Sequence, residues 1–535
     1  MAPLRSADWR FLLPVAPDVR FAHLVLLGGP EGSIERAMSL GLGDHVTDRL
    51  PPHGEADGVV AYGAASESVH EIARAVGHHG VLYVEVDRRR HGRRTATPGR
   101  IARALEREGL SVAAVYAVEP DMCEPRAFVP VDSPSASRWY RDTLLRGDTP
   151  LARLGALVRY SALSFAGRLG GPLLRRFVIV AVRGGHAGGP PGLLRDAHVA
   201  RTYQDARQVV SAVVVTYGGD RVIMFPFADR GSSPVATVKV PKSRPFFERT
   251  ENEQAQLHAL QARLEPALAR AIPRPLGLVR TGSTLVACEQ FLAGQALSSR
   301  AWSRAVRFRT KRDDLHRAMS WLIRFHRATE LRRAPWSDDI RTALVDEPLR
   351  AYAGEFGTTR EEAVLFARTR TAAAALRGVE LPIVCQHRDF AVWNLLRDQR
   401  ELAVLDWEGA REGPALGDAL TLATTWLYLV RRGRDADGEA RCVHDLLLTA
   451  AARDAAVAAA RRSIDQYTDA LRIDRRLVPL VVVYHRVELA LRRRDQQRLQ
   501  SEVGGDVGVG TADVRAVRVL AAGADQLFAG GVGAT

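Results

Sequence analysis

Between Val384 and Asp418 the chain reads VCQHRDFAVWNLLRDQRELAVLDWEGAREGPALGD, and four polar residues in it stand out by type and spacing. His387, Asp389 and Asn394 are set out as H-x-D-x-x-x-x-N, and Asp406 follows in LDWE. Such a set suits phosphoryl transfer. That reaction asks little covalent chemistry of a protein and depends on positioning and charge stabilisation. A carboxylate such as Asp389 can accept the proton of an attacking hydroxyl. Asn394 and Asp406 offer hard oxygen atoms, and magnesium is typically held by one or two carboxylates together with phosphates.

These residues need elements that bring them together. Two apolar runs, Leu395-Leu396 and Leu402-Ala403-Val404-Leu405, flank Arg397-Asp398-Gln399-Arg400, the pattern of a short hairpin. A loop followed by a hairpin places residues distant in sequence at one edge of a cleft.

The stretch resembles the catalytic core of the aminoglycoside phosphotransferase and choline kinase family, within the protein-kinase-like fold. His387-Arg388-Asp389 with Asn394 matches that family's catalytic loop, and Asp406-Trp407-Glu408 matches its metal-binding segment. Asp418, after Gly413-Pro414, matches the acidic residue that starts the next helix. The resemblance implies that Asp389 is catalytic, that Asn394 and Asp406 bind metal, and that His387 and Asp418 support the loop. It implies ATP and Mg2+ as cofactors and a small-molecule hydroxyl of aminoglycoside, sugar or amino-alcohol type as acceptor.

Upstream, Val235-Ala236-Thr237-Val238-Lys239 resembles the kinase strand whose lysine contacts the ATP phosphates. Of 75 basic residues only Lys239, Lys242 and Lys311 are lysines. A lysine ammonium is a compact point charge for which arginine does not freely substitute, so a lysine here suggests a specific demand. Lys242 is the alternative, on the opposite face of the strand by alternation. A helix over 249–263 follows. The resemblance pairs the lysine with Glu253 on it, with Glu251 as alternative. Thr284 to Phe291 then reads as a strand and hinge, where backbone around Glu289, Gln290 and Phe291 would meet adenine. Strands at Val209–Thr216 and Arg221–Phe227, joined by Tyr217-Gly218-Gly219-Asp220, would suit a hairpin over the nucleotide, although the turn is not a full kinase glycine loop.

The first 190 residues alternate strand and helix. Strands are expected at Phe21–Leu27, Ala56–Tyr62, Val81–Val86 and Val112–Val118, with Phe177–Val182 as a late addition, and helices from Ser33, over Ser66–Val76 and over Thr97–Glu108. That alternation predicts a doubly wound, Rossmann-like parallel sheet. The order of parts resembles a class I S-adenosylmethionine-dependent methyltransferase without its crisp glycine motif, and implies a degenerate domain that no longer methylates; SAM is the cofactor of an active one. A glycine-rich stretch, Gly184 to Gly192, reads as the linker. The expected organisation is therefore an α/β domain over 1–190, then an α+β bilobal kinase-like domain with an N-lobe over 191–300 and a helical C-lobe over 301–535.

Helices are expected over Leu315–Thr329, Ala415–Val430, Ala440–Arg453, Ala455–Leu471 and Leu477–Arg493, and the tail after Gly504 is expected to be partly disordered. His316 and His326 read as surface or packing residues of the first of these helices. The later helices would wall the acceptor pocket. They offer acids (Glu408, Glu412, Asp465, Asp469) and bases (Arg431, Arg432, Arg434 and the run Arg492–Arg494), which leaves a cationic and an anionic acceptor both open.

A chain of 535 residues exceeds a single core, and 46% hydrophobic content allows sizeable ones. The net charge of +14 favours anionic partners such as nucleotides, but the arginines are dispersed and no RNA-binding aromatic motif appears, so no nucleic-acid partner is expected. Four scattered cysteines, Cys123, Cys288, Cys385 and Cys442, and the lack of a signal peptide suit the cytoplasm. No transmembrane run is present. The apolar stretch Leu151–Val182, broken by five arginines, is expected to pack on its own domain, with peripheral contact to a membrane surface as the alternative. Oligomeric state is not legible. Two other functions fit the same residues: a nucleotide-binding scaffold without turnover, and a SAM-dependent methyltransferase regulated by a kinase-like domain.

Overall fold

The computed structural model describes the chain apart from residues 1–8, 17, 64–67, 89–96, 123–124, 146–149, 167–172, 185–188, 204–207, 218–219, 230, 399–400, 434, 450–453, 503–510 and 531–535. Cys123, Arg168, Gly185, Gly188, Gly218, Gly219, Gln399, Arg400 and Arg434, all singled out in the sequence, lie outside the described residues. The chain divides into two compact units. The first comprises residues 1–250, 275–291 and 500–507, and the second residues 251–274, 292–499 and 508–535.

The first unit is built on one sheet of twelve strands. They are β1 (Phe21–Leu27), β2 (Gly43–Thr47), β3 (Ala56–Ala61), β4 (Val76–Asp87), β5 (Leu110–Pro120), β6 (Pro125–Pro130), β7 (Arg176–Arg183), β8 (Val209–Tyr217), β9 (Arg221–Ala228), β10 (Thr237–Pro241), β11 (Pro275–Thr281) and β12 (Thr284–Glu289). Their order in space is β11-β12-β10-β9-β8-β6-β5-β7-β4-β3-β1-β2. The expected strands are all present, within a few residues of their expected ends.

Two expectations change. Only β2, β1, β3 and β4 run parallel; from β4 onward every pairing is antiparallel. The Rossmann-like pattern is therefore confined to one end of a mixed sheet. The glycine-rich stretch expected to part residues 1–190 from the rest does not divide the compact units either. The physical reason is strand pairing: β6 would end in an open edge, and β8 closes it, with Ala127 opposite Val215 and Phe128 opposite Val214. Apolar residues from both sides of residue 190 share one core, in which Trp9, Phe11 and Phe128 belong with Leu193, Val214, Met224 and Val286.

The second unit carries two small sheets among helices. One contains β13 (Gln295–Ala296), β16 (Leu395–Arg397) and β17 (Leu402–Val404); the other contains β14 (Arg332–Pro335), β15 (Glu380–Gln386) and β18 (Arg411–Pro414). The helix Phe308–Ala328 buries Leu315, Met319, Leu322 and Phe325 at three- and four-residue steps, as its periodicity predicts. Helices Gly417–Val430, Ala436–Leu447, Ala455–Ala470 and Val478–Glu502 follow. Of the tail, residues 511–530 form helices Thr511–Ala522 and Ala524–Gly530, in which Val514, Val517, Leu520 and Leu527 recur at helical spacing and are buried. Among the described residues no helix is long and apolar enough to cross a membrane. The stretch read as apolar from Leu151 is a helix, Pro150–Ala166, followed later by β7.

The shared core sets a test. A fragment ending at residue 190 lacks β8 and the Leu193–Leu194 contact, so it should show no cooperative thermal transition by circular dichroism. A sharp transition in that fragment would contradict the single-core description.

Candidate active site

Sheet register explains how the catalytic stretch folds. Leu395 pairs with Val404 and Arg397 with Leu402, and the Leu405 N–H donates to the Asn394 carbonyl at 2.9 Å. This extends the hairpin by one rung. Asn394 and Asp406, twelve residues apart, thereby reach the same end of the β16–β17 hairpin. Asp406 adopts φ 69°, a left-handed conformation uncommon for a side-chain-bearing residue and frequent at functional sites.

Asp389 stands before the hairpin. Asn394 Nδ2 donates to its carboxylate Oδ2 at 2.8 Å and to its carbonyl at 3.0 Å. With the amide nitrogen committed to Asp389, the Asn394 amide oxygen is left to face away, as an oxygen donor to a metal would. Burial, and next to it the charge of Asp406, raise the Asp389 carboxyl above the ordinary carboxylate range, so the two carboxylates are close enough to repel. Among the described residues no group of three or more His, Cys, Asp or Glu side chains could hold a metal. The oxygen set here is smaller, one amide and one carboxylate, which suits an ion that takes its remaining ligands from phosphates and water.

The loop is held from below by Asp418. Its carboxylate accepts the His387 N–H at 2.7 Å and the Arg388 N–H at 2.8 Å. Arg388 has φ 67°, so these two bonds hold a left-handed turn just before Asp389. His326 Nε2 lies 3.3 Å from the Asp418 carboxylate, and its Nδ1 contacts the Tyr467 hydroxyl at 2.5 Å. Asp418 is 1% exposed, yet its hydrogen bonds and the two histidines hold its carboxyl below the usual range against the opposing effect of burial. His387 is itself buried. Its Nε2 contacts the Leu405 carbonyl at 2.9 Å, and its ring packs 4.5 Å from that of Trp407. One imidazole thus ties the loop at Asp389 to the strand end at Asp406.

Two neighbours were not foreseen in these roles. His326 was expected to be a surface or packing residue; it is buried, and it is part of the support of Asp418. A histidine in the apolar stripe of Phe308–Ala328 was the signal. Asn252 Nδ2 donates to the Glu408 carbonyl at 2.7 Å, beside Glu253, whose carboxylate accepts the Trp407 N–H at 3.0 Å. The helix Phe247–Arg263 therefore fixes the backbone just after Asp406.

In the first unit Lys239 lies on β10, 6% exposed, with its ammonium 3.0 Å from the Glu289 carboxylate. Antiparallel pairing of β10 with β12 sets Lys239 opposite Ala287 and Thr237 opposite Glu289, which puts Lys239 and Glu289 on the same face two residues apart. The resemblance implied Glu253, or Glu251, as this lysine's partner and a backbone contact to adenine around Glu289; within this unit Lys239 pairs with Glu289. Gln290 is exposed. Phe291 packs its ring near Trp139, at 5.9 Å, and Phe225, at 6.2 Å. Lys242 and Lys311 are also buried, the latter donating to the Ala301 carbonyl at 2.6 Å.

With this geometry in view, comparison with known proteins is informative. Residues 227–428 match the family described as the phosphotransferase enzyme family, a span that includes Lys239, Glu253, Glu289, Asp389, Asn394, Asp406 and Asp418. No curated protein matches the chain. Solved structures similar to it include a choline/ethanolamine kinase family protein from Mesorhizobium loti (15% identity, covering 62% of this chain and 91% of that one, TM-score 0.30). A spectinomycin phosphotransferase solved with ADP and spectinomycin (11%, 60% and 95%, 0.34) and a choline kinase from Cryptosporidium parvum (11%, 58% and 87%, 0.35) are others. These structural likenesses are distant. The family match gives this chain a phosphotransferase-like region over residues 227–428.

Two stability predictions follow from the carboxylates. Removing one partner of a buried charged network costs about 3–5 kcal/mol, so Asp418→Asn should lose that much in urea unfolding; a change below about 1 kcal/mol would mean that the loop does not depend on it. Asp389 carries the opposite sign. Its folded pKa is raised, so its stabilising contribution is present below the unfolded value of about 3.9 and is lost as pH rises through the folded value. Asp389→Asn should therefore melt at a higher temperature than wild type at neutral pH, the difference shrinking as the pH is lowered toward about 4. An equal or lower midpoint at neutral pH would contradict this.

Proposed function

We propose that the chain is an ATP- and magnesium-dependent phosphotransferase of protein-kinase-like fold, moving the γ-phosphoryl group to a hydroxyl of a small molecule. The observation that carries this reading is the convergence of Asp389, Asn394 and Asp406, with Asn394 bridging to the Asp389 carboxylate at 2.8 Å inside the matched segment. Asp389 orients the acceptor hydroxyl and takes its proton as the oxygen bonds to the γ-phosphorus. The bond from that phosphorus to the β-γ bridging oxygen breaks, and ADP leaves. Asn394 and Asp406 would hold magnesium, which supplies charge neutralisation at the phosphates when bound. Lys239, held by Glu289, is the phosphate contact, and backbone over Glu289–Phe291 receives adenine. His387, Asp418 and His326 position the loop.

The rise in the Asp389 carboxyl serves this role. A base whose pKa is lifted toward the working pH is a better proton acceptor than an ordinary carboxylate, provided that it is still ionised.

The first 190 residues take the role of a methyltransferase-like part that does not methylate. In a doubly wound sheet a cofactor sits outside the strand ends where the order reverses, here between β1 and β3. A Cβ on Gly29 would lie 2.9 Å from Ser33 Oγ and 3.2 Å from the Tyr62 ring, and one on Gly28 would lie 2.9 Å from the Tyr62 carbonyl. The glycines of this turn admit neighbouring protein, which supports the reading of a part that does not methylate.

The test is turnover with ATP, magnesium and a small-molecule extract, with a phosphorylated product sought by mass spectrometry. Asp389→Asn should bind ATP about as wild type does and lose about 10²–10⁴-fold in rate, the range for a general base. A full rate in that variant would refute the assignment. ATP binding by wild type with no acceptor-dependent product would favour a nucleotide-binding scaffold.

A further inference from the structure

Three of the four acids that could have lined a pocket for a cationic acceptor face arginines. Asp465 and Asp469 both pair with Arg475, at 2.8 and 2.5 Å, and Glu412 is exposed and lies 3.8 Å from Arg332. Of the candidate bases, Arg431 is taken by Asp445 and Asp454, Arg493 by Asp513 and Arg494 by Glu355. Arg432 and Arg492 donate instead to backbone carbonyls, Arg432 to that of Trp302 at 3.3 Å on the surface and Arg492 to that of Arg388, beside Asp389, at 2.9 Å.

Arg492 belongs to a cluster. Tyr484, Glu488 and Arg492 recur every four residues on the helix Val478–Glu502 and so share one face. Along that face lie Arg388, which pairs with Glu488, and Arg411 of β18, which pairs with the same Glu488 oxygen at 2.5 Å. Two guanidiniums therefore share one carboxylate, and a third, that of Arg492, adjoins them through the Arg388 carbonyl. The Nε groups of Arg388 and Arg492 are buried without a hydrogen-bond partner among the described residues. Unmet buried donors are costly unless something completes them. Arg492 also reaches toward the loop after Asp406, its Nη1 lying 3.9 Å from where a Gly409 Cβ would stand.

The position matters as much as the charge. Arg388 immediately precedes Asp389, and Gly409 comes three residues after Asp406, so the cluster flanks both ends of the proposed catalytic constellation. Guanidiniums bind phosphate and carboxylate through paired N–H donors, a geometry that gives direction as well as attraction. The main competing place for an acceptor's charge is the cavity lined by Trp393, Thr425, Tyr428, Asp435 and Glu439, which would suit a cation. Its acids are engaged: Asp435 accepts the Gly438 N–H at 2.6 Å, and Glu439 faces Arg486 at 3.9 Å.

We propose that Arg388, Arg411 and Arg492 form a subsite for an anionic group, phosphate or carboxylate, on the acceptor, so that the phosphorylated hydroxyl belongs to an acidic small molecule. The assignment of this anion to the acceptor rests on the phosphotransferase reading; the anion site itself does not. It selects among acceptors by charge and turns the hydroxyl toward Asp389. Aminoglycosides and amino alcohols, being cationic, are excluded as acceptors.

The experiment has two arms. In the first, the full chain is saturated with ADP and Mg2+ and titrated by calorimetry with glycerol 3-phosphate, glycerate, glycerol, choline and kanamycin. One or both of the anions should bind saturably, phosphate over carboxylate or the reverse identifying the group, and glycerol and the two cations should not. Arg492→Gln should weaken anion binding about tenfold, Arg492→Lys less, and Arg498→Gln, an exposed control on the same helix, not at all. Binding of the cations alone, or anion binding indifferent to Arg492→Gln, would overturn the subsite. In the second arm the extract is split by ion exchange before the turnover assay. Acceptor activity should be retained by the anion exchanger, and Arg492→Gln should raise the acceptor KM about tenfold with the ATP KM unchanged. A neutral or cationic acceptor, or a rise in the ATP KM alone, would overturn the acceptor assignment. Anion binding in the first arm with no turnover in any fraction would count against the phosphotransferase reading and leave the subsite standing.

Discussion

The active-site region depends on one buried carboxylate. Asp418 receives the backbone N–H groups of His387 and Arg388 and faces His326. A carboxylate in such a place pays a desolvation penalty that only directed donors can offset. Because the offset comes from the backbone of the catalytic loop itself, the loop has one arrangement in which the charge is satisfied. That arrangement turns Arg388 into the left-handed region and sends Asp389 toward Asn394. The hairpin and the His387 ring carry the same constraint across to Asp406. Asn252 and Glu253 hold the residues after it.

Charge is distributed unevenly around this frame. On one side, burial and then the charge of Asp406 raise the Asp389 carboxyl. On another, two arginines pair with one glutamate, and burial with the charges of Arg492 and Arg411 brings Arg388 down to about 10. Shifts of this kind cluster where ligands bind.

The residues that meet at the candidate site were readable as a motif because they lie close in sequence: His387 and Asp389 in the loop before one hairpin, Asn394 and Asp406 at its end, and Asp418 in the helix after it. The hairpin itself followed from apolar runs around a polar turn. Lys239 was readable from composition, in a chain that otherwise uses arginine. Its ion-pair partner Glu289 was not, because that contact depends on which strands become neighbours, and β10 and β12 are far apart in sequence. The same difficulty hid the continuity of the twelve-stranded sheet. The β6–β8 pairing crosses a glycine-rich stretch that looks like a linker, and local pattern carries no information about edge closure. The arginine cluster was hidden for a further reason. Tyr484, Glu488 and Arg492 make an ordinary polar helix face until the catalytic loop is known to lie against it. His326 packs, as one of its two readings had it, but its contact with Asp418 was hidden because that residue lies on a distant helix.

The most direct measurement is the position of a divalent ion. Crystals grown with Mn2+ and a non-hydrolysable ATP analogue would locate it by anomalous scattering. The account predicts a peak within coordination distance of the Asn394 amide oxygen and the Asp406 carboxylate, with Asp389 beside it and free of the metal. Nucleotide bound with the ion held by other residues, or with no ion at this place, would contradict the catalytic assignment.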